Sequence, residues 1–226
     1  MNDVDELVSA TYRELADERA PEHLNRAVLR LAAAGGAMFG EFFTDQRVKG
    51  AARSVADSFL LARAEAIRTG NTHLVVFQQA LDATEPIVVV DDGAPDVANC
   101  TIDAGEVRHS VPAVEDVLWG TTTTLSNGTA APDDPGAAPG TAAAGSSFTD
   151  ATRSAANPAT WVLFQPDGVP RLFTPDASGC DEIGLVGQGG GGVYLTNTRR
   201  DYAVVLSHLG TTRVHVWNAS SGGWRD

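Results

Sequence analysis

The sequence predicts an α+β fold, with one long amphipathic helix packed on antiparallel β-sheet. Three observations predict it. From Thr44 to Thr69 apolar residues recur at helical spacing, with Val48, Ala51, Ala52, Val55, Phe59, Ala62 and Ala66 on one stripe. From His73 onward the period changes to short β-branched runs bounded by turn residues. The chain closes on two strand-like runs, Tyr202–Ser207 and Thr212–Trp217, separated by a Gly-containing turn at His208-Leu209-Gly210.

Taken in order, Asp3–Asp17 and Pro21–Ala34 read as two short amphipathic helices. Val4, Leu7, Val8 and Leu15 lie at helical spacing in the first, and Leu24, Val28 and Leu31 in the second. Pro21 suits a first helical turn, and Gly35, Gly36 and Gly40 interrupt the pattern. Thr44 is the expected N-cap of the long helix and Gly70-Asn71 its stop. The helix stripe, above all Val48, Val55, Phe59 and Ala66, is expected to be buried on a sheet. Strands follow at His73–Ala80 and Pro86–Val90, then shorter candidates around Val107, Val117–Trp119 and the threonine run before Leu125.

Asn127–Thr160 is a break in composition, dominated by Ala, Gly, Pro, Ser, Thr and Asp, with Phe148 its one aromatic residue. A stretch so poor in large apolar side chains is expected to be a mobile, protease-sensitive surface loop. Beyond it come Trp161–Gln165, a turn at Pro166-Asp167-Gly168, Pro170–Thr174, Gly192–Thr196 and the closing pair. The expected organisation is therefore an atypical N-terminal helical segment over 1–43 and one domain over 44–226, carrying the low-complexity loop at 127–160.

The chain has 226 residues, 43% of them apolar, enough for a core without metals or many cross-links, and its formal net charge is −13. That charge repels phosphates and anionic lipid at long range, so no nucleic-acid partner is expected. The acid is concentrated between Thr72 and Asp150, where 12 Asp/Glu face Arg108 alone. Asp91, Asp92, Asp96 and Asp103 are the nearest cluster for a cation, but they lack the spacing of a calcium loop. No run reaches the ~20 apolar residues that span a bilayer, and the acidic start is unlike a signal peptide. Read literally, the chain has neither a signal nor a transmembrane segment.

The other chemical signals are weak. Cys100 and Cys180 sit in turn-rich segments with no Cys/His metal spacing, so they are either one disulfide or two free thiols. No Gly-x-Ser-x-Gly elbow accompanies the five histidines; His208 and His215 flank the closing turn without a third ligand. Gln188–Gly192 resembles a phosphate-cradling loop in glycine content, but a strand follows where a helix is needed, so a flexible loop is expected. Trp217 and Trp224 beside Arg213 and Arg225 could stack on bases, yet 151–226 carries six arginines against six Asp/Glu. Asn99, Asn127 and Asn218 head glycosylation-type tripeptides, taken as chance matches. Neither a catalytic residue nor a cofactor or metal is expected.

Two stretches carry a family resemblance. The helix ends in Arg-x-Glu-Ala-Ile-x-x-Gly, supplied by Arg63, Glu65, Ala66, Ile67 and Gly70, and leads directly into a strand. Phe164–Gly168 runs into a Pro-Asp-Gly turn, and GVYLTNTRRDYAVVLSHLGTTRVHVWN follows from Gly192 to Asn218. In this order they resemble the head domain of GspH/FimT-type minor pseudopilins, from about Thr44 to Asp226. The resemblance implies a structural subunit of a bacterial type II secretion or type IV pilus filament, not an enzyme. Its implied partners are other pseudopilins or minor pilins and secreted cargo, and its implied location is the inner membrane and periplasm or a cell-surface filament. The alternatives are a soluble binding module with a pilin-like head and a DNA-binding competence minor pilin. The N-terminus departs from the family, which opens with a basic leader, a cleavage site and a long apolar helix; here two polar helices are expected instead. Residues 1–43 then either replace the anchor or dock on the head through Leu7, Leu15, Leu24 and Leu31, and a membrane enters only if a native apolar anchor is missing from this chain.

Overall fold

The computed structural model describes residues 21–77, 86–95, 97–176 and 179–226. Helix α1 runs from Pro21 to Thr69 as one element. This corrects the expectation of a separate Pro21–Ala34 helix and a fresh start at Thr44. Gly35, Gly36 and Gly40 do not interrupt it, because each glycine costs only about 1 kcal/mol while a second helix would need a new, unfavourable nucleus. Thr44 accordingly is no N-cap: its Oγ1 donates back to the Gly40 carbonyl at 2.9 Å, one turn earlier. The expected helix Asp3–Asp17, with Leu7 and Leu15, lies outside the described residues. Met1–Gln46 and Arg47–Asp226 are separate compact units, and the second holds every strand described below.

Among the described residues the strands form three antiparallel sheets. The first has the order β3-β2-β1-β5-β6, with β1 at His73–Phe77, β2 at Ile87–Asp91, β3 at Arg108–Val111, β5 at Trp161–Phe164 and β6 at Pro170–Arg171. The second has the order β12-β11-β10-β9-β4: β4 is Leu118–Trp119, β9 Gly191–Thr196, β10 Asp201–Leu206, β11 Thr212–Asn218 and β12 Gly223–Arg225. β7 (Phe173–Asp176) and β8 (Gly179–Ile183) form a small hairpin. The threonine run before Leu125 is a turn rather than a strand. The class is therefore α+β, as expected.

Register explains why β1 and β2 read as unbroken apolar runs instead of alternating ones. Val75 pairs with both Val89 and Val162, while Leu74 pairs with both Val90 and Leu163. The valine row points to α1, where Val48, Ala52, Val55, Phe59, Ala62 and Ala66 are all buried. The alternate row, Leu74, Val76, Val88, Val90 and Leu163, is buried on the other side with Cys100 and Phe173. A sheet covered on both faces needs apolar side chains at every position.

The largest departure from expectation is Asn127–Thr160. It is irregular, apart from the four-residue helix α2 at Thr141–Ala144, but it packs against the sheets where a surface loop was expected. Phe148 is 1% exposed and stacks on Phe77 and Phe59, with ring centroids 5.3 and 6.0 Å away. Ala131 and Ala142 cover the outer face of the second sheet, against Tyr194, Ala203 and Val205. Ser146 bridges to Val193, Ser147 N–H donates to the Gly192 carbonyl, and Gly192 N–H donates to Ser147 Oγ. The segment borrows its apolar partners from the sheet, and its small residues let the backbone lie close. The glycine run at 188–192 is packed for the same reason: Gly191 and Gly192 are buried within β9, and a Cβ on Gly191 would come within 2.7 Å of the Phe148 ring. Replacing Phe148 by Ala is expected to destabilise the domain by about 3–5 kcal/mol, comparable to Phe59→Ala, by denaturant unfolding. A loss below about 1 kcal/mol would return the segment to the surface.

Candidate functional site

The stretches that carried the family resemblance meet at the C-terminal end of α1. Arg63 Nη1 donates to the Gly210 carbonyl at 2.9 Å, tying the helix to the turn between β10 and β11. The Ile67 side chain lies over the Pro166-Asp167-Gly168 turn; Gly168 has φ +71°, and a Cβ there would come 2.5 Å from Ile67 Cδ1. Ala66 is buried, Glu65 pairs with Arg68, and Gly70, at φ +74°, ends the helix with its N–H on the Ala66 carbonyl. Each motif position thus has its own local task.

Beside the helix an apolar groove of about 200 Å³ opens between the two large sheets. Ala51 and Val55 form its helical wall, Ile87 and Trp119 its sheet walls, and the Pro112–Val114 segment its rim. At one end Arg47 donates to Asp116 at 3.0 Å and lies 3.5 Å from Glu115. These are exposed ion pairs of small energetic value, but they fix where charge ends and apolar surface begins. Composition alone did not reveal the groove, because its residues come from separate stretches of sequence.

Cys100 and Cys180 form a disulfide with their Cα atoms 5.2 Å apart, pinning the loop after β2 to β8. Asp92 belongs to this corner. It is 1% exposed and accepts the Asn99 and Cys100 N–H groups at 3.2 and 3.0 Å. Burial pushes its carboxyl above the usual range despite those two bonds. Asp91 instead accepts from Gly93 N–H and Asn71, and Asp103 from Asn99 and Thr101, while Asp96 lies outside the described residues. The acidic residues thus cap their own loops. Among the described residues, the group with metal-like spacing is Asp92 with Cys100 and Cys180, whose sulfurs bond each other and offer no thiolate.

The remaining candidates are dispersed. His215 is buried, with Nε2 2.7 Å from Asp133 Oδ1 and Nδ1 2.7 Å from Asp226 Oδ1. His208 lines a different pocket, beside Arg153 and Gln188. Trp217 and Trp224 pack edge to face at 5.4 Å, and Trp224 Nε1 donates to the Thr129 carbonyl. Arg213 approaches Asp133 at 3.4 Å. Two buried polar anchors were not anticipated. Asp201 accepts from the N–H groups of Thr122 and Ser126 and from Ser126 Oγ; Asp134 accepts from Tyr194 Oη, Ser147 Oγ and Gly136 N–H. Burial, reinforced by the neighbouring Asp134 carboxylate, holds the Tyr194 phenol protonated far above its usual range.

No family model, curated protein or solved structure matches this chain.

The raised Asp92 carboxyl has a pH consequence with a definite sign. The folded state holds its proton more tightly than the unfolded chain, so the wild type loses stability as pH rises from about 4 through the folded value. Asp92→Asn is expected to lack this component, so the wild-type stability relative to the variant should fall across that window in paired denaturation at several pH values. A difference that is flat, or rises with pH, would contradict a burial-dominated shift.

Proposed function

We propose that this chain is a structural minor pseudopilin or minor-pilin subunit of the GspH/FimT type, acting through protein–protein contacts in a bacterial secretion or pilus filament. The observation that carries the reading is the junction at the end of α1. There Arg63 and Ile67 of the helix motif hold the Gly210 and Gly168 turns of the C-terminal motif, so the stretches that resemble the family act as one unit. Support also comes from a helix packed along two antiparallel sheets and from the disulfide, which suits an exported compartment. The reading places the head in the periplasm at the inner membrane or on a surface filament, with other pseudopilins or minor pilins as partners and secreted cargo as a further contact.

Such a subunit works by presenting a rigid face, and the apolar groove beside α1 is the face we assign to a neighbouring subunit. Ala113 lies on its rim and is exposed, so Ala113→Arg is expected to change stability by no more than about 0.5 kcal/mol. In producing cells the wild-type protein should co-purify with sheared filaments or the membrane-bound assembly, and Ala113→Arg should reduce its incorporation at least tenfold. A protein absent from those fractions, whose gene deletion leaves secretion and piliation unchanged, would overturn the filament reading. Incorporation unaffected by Ala113→Arg would overturn the role of the groove.

A further inference from the structure

A second pocket, of about 170 Å³, is built largely from the packed loop and is polar. Gly136, Ser147 and Thr149 of the loop, Arg153, Gln188 of the glycine run and His208 of the β10–β11 turn contribute to its wall. Although the chain carries 29 Asp and Glu, none of those among the described residues lines this pocket. The nearest in sequence are already committed: Asp134 accepts from Tyr194, Ser147 and Gly136, and Asp150 from Thr152 N–H and Asn157 Nδ2 at 3.0 Å each.

What remains unspent in the wall is donor capacity. Arg153 is exposed, and among the described residues no carboxylate pairs with it. His208 Nδ1 is a buried ring nitrogen without a hydrogen-bond partner. Gln188 uses Oε1 to accept the Leu185 N–H at 3.2 Å, leaving its amide N–H₂ group without a protein acceptor among the described residues. A buried polar atom without a partner is costly, so His208 Nδ1 is a position for a polar group, a water or a bound ligand, to fill. The Arg153 backbone adds a further oddity, a φ of +59°, in a region where Gly or Asn is the cheaper choice.

We infer that this pocket, defined by Arg153, Gln188 and His208, binds a small oxyanion of the carboxylate or phosphate class. The guanidinium supplies charge and two parallel donors, the glutamine amide and the imidazole N–H complete the cradle, and the Ser147 and Thr149 side of the wall sets the depth. The volume suits a group of about six non-hydrogen atoms, close to that of an engineered cavity that takes benzene. The acidic exterior weakens long-range attraction for any anion, so recognition depends on these short contacts and the affinity is modest, on the order of 1 mM.

The test is an NMR titration of the whole ¹⁵N-labelled chain with sodium phosphate and, separately, sodium acetate, against sodium chloride at matched pH and ionic strength. Saturable shifts are expected at Thr149, Arg153, Ala155 and the Gln188 side chain with at least one of the two oxyanions. Arg153→Asn suits the backbone angle, so it should keep or raise the melting midpoint while weakening binding at least tenfold. Gln188→Glu retains the acceptor for Leu185 N–H but replaces the donor with a charge, and should abolish binding. Linear shifts up to about 100 mM with both oxyanions, or saturable binding unchanged in both variants, would overturn the inference.

Discussion

The domain is organised around one aromatic contact. Phe59 comes from the helix, Phe77 from the end of β1 and Phe148 from the irregular segment, and their ring centroids lie 5.3 to 6.1 Å apart. All three are essentially inaccessible to solvent. Each belongs to a part of the chain that could not bury its own apolar surface: a helix stripe, a sheet face and a segment of small polar residues. Where they meet, the helix is fixed in rotation, β1 in register and the Ala/Gly-rich segment in place. Aromatic packing of this kind contributes beyond the area it buries, and the tilted and edge-on geometries are the favourable ones.

Around that centre the polar interactions position rather than drive. Asp201 gathers two N–H groups and a hydroxyl from the 122–126 turn onto the start of β10. Asp134 joins the loop to Tyr194 on β9, whose hydroxyl also accepts the Ala131 N–H at 3.0 Å. These are buried carboxylates with their acceptor capacity used, the condition under which burial is tolerated. The disulfide and Asp92 do similar work on the other face of the first sheet, where the covering comes from a loop and the β7–β8 hairpin rather than from a helix. If the chain acts by shape, rigidity of this kind is what its partners would meet.

Much of the architecture was legible in the sequence because it rests on periodic pattern. The stripe at Val48, Val55, Phe59 and Ala66, the strands at His73 and Ile87 and the closing hairpin all follow from spacing, and these residues sit where spacing puts them. The start of α1 was not legible, since glycine content says where a helix is weak and not whether its neighbours carry it through. Nor was the packing of Asn127–Thr160, for a related reason. Composition measures what a segment can bury with its own side chains, whereas Ala131, Ala142 and Phe148 are buried by residues far away along the chain, such as Tyr194 and Phe59. The candidate sites were harder still: the groove, the pocket beside Arg153 and His208 and the Asp201 anchor each join residues from distant parts of the chain.

The Ala/Gly-rich segment is part of the core and not an appendage to it. Amide hydrogen exchange tests this most directly, because it reads the opening free energy of each backbone group. The N–H groups of Ser147 and Ala159, bonded to Gly192 and Phe148 carbonyls, should exchange as slowly as those of β1 and β9, through global unfolding. Exchange of Ser147 and Ala159 through local opening, orders of magnitude faster than Val75 or Tyr194, would show that the segment detaches while the sheets stand without it, and would contradict its place in the core.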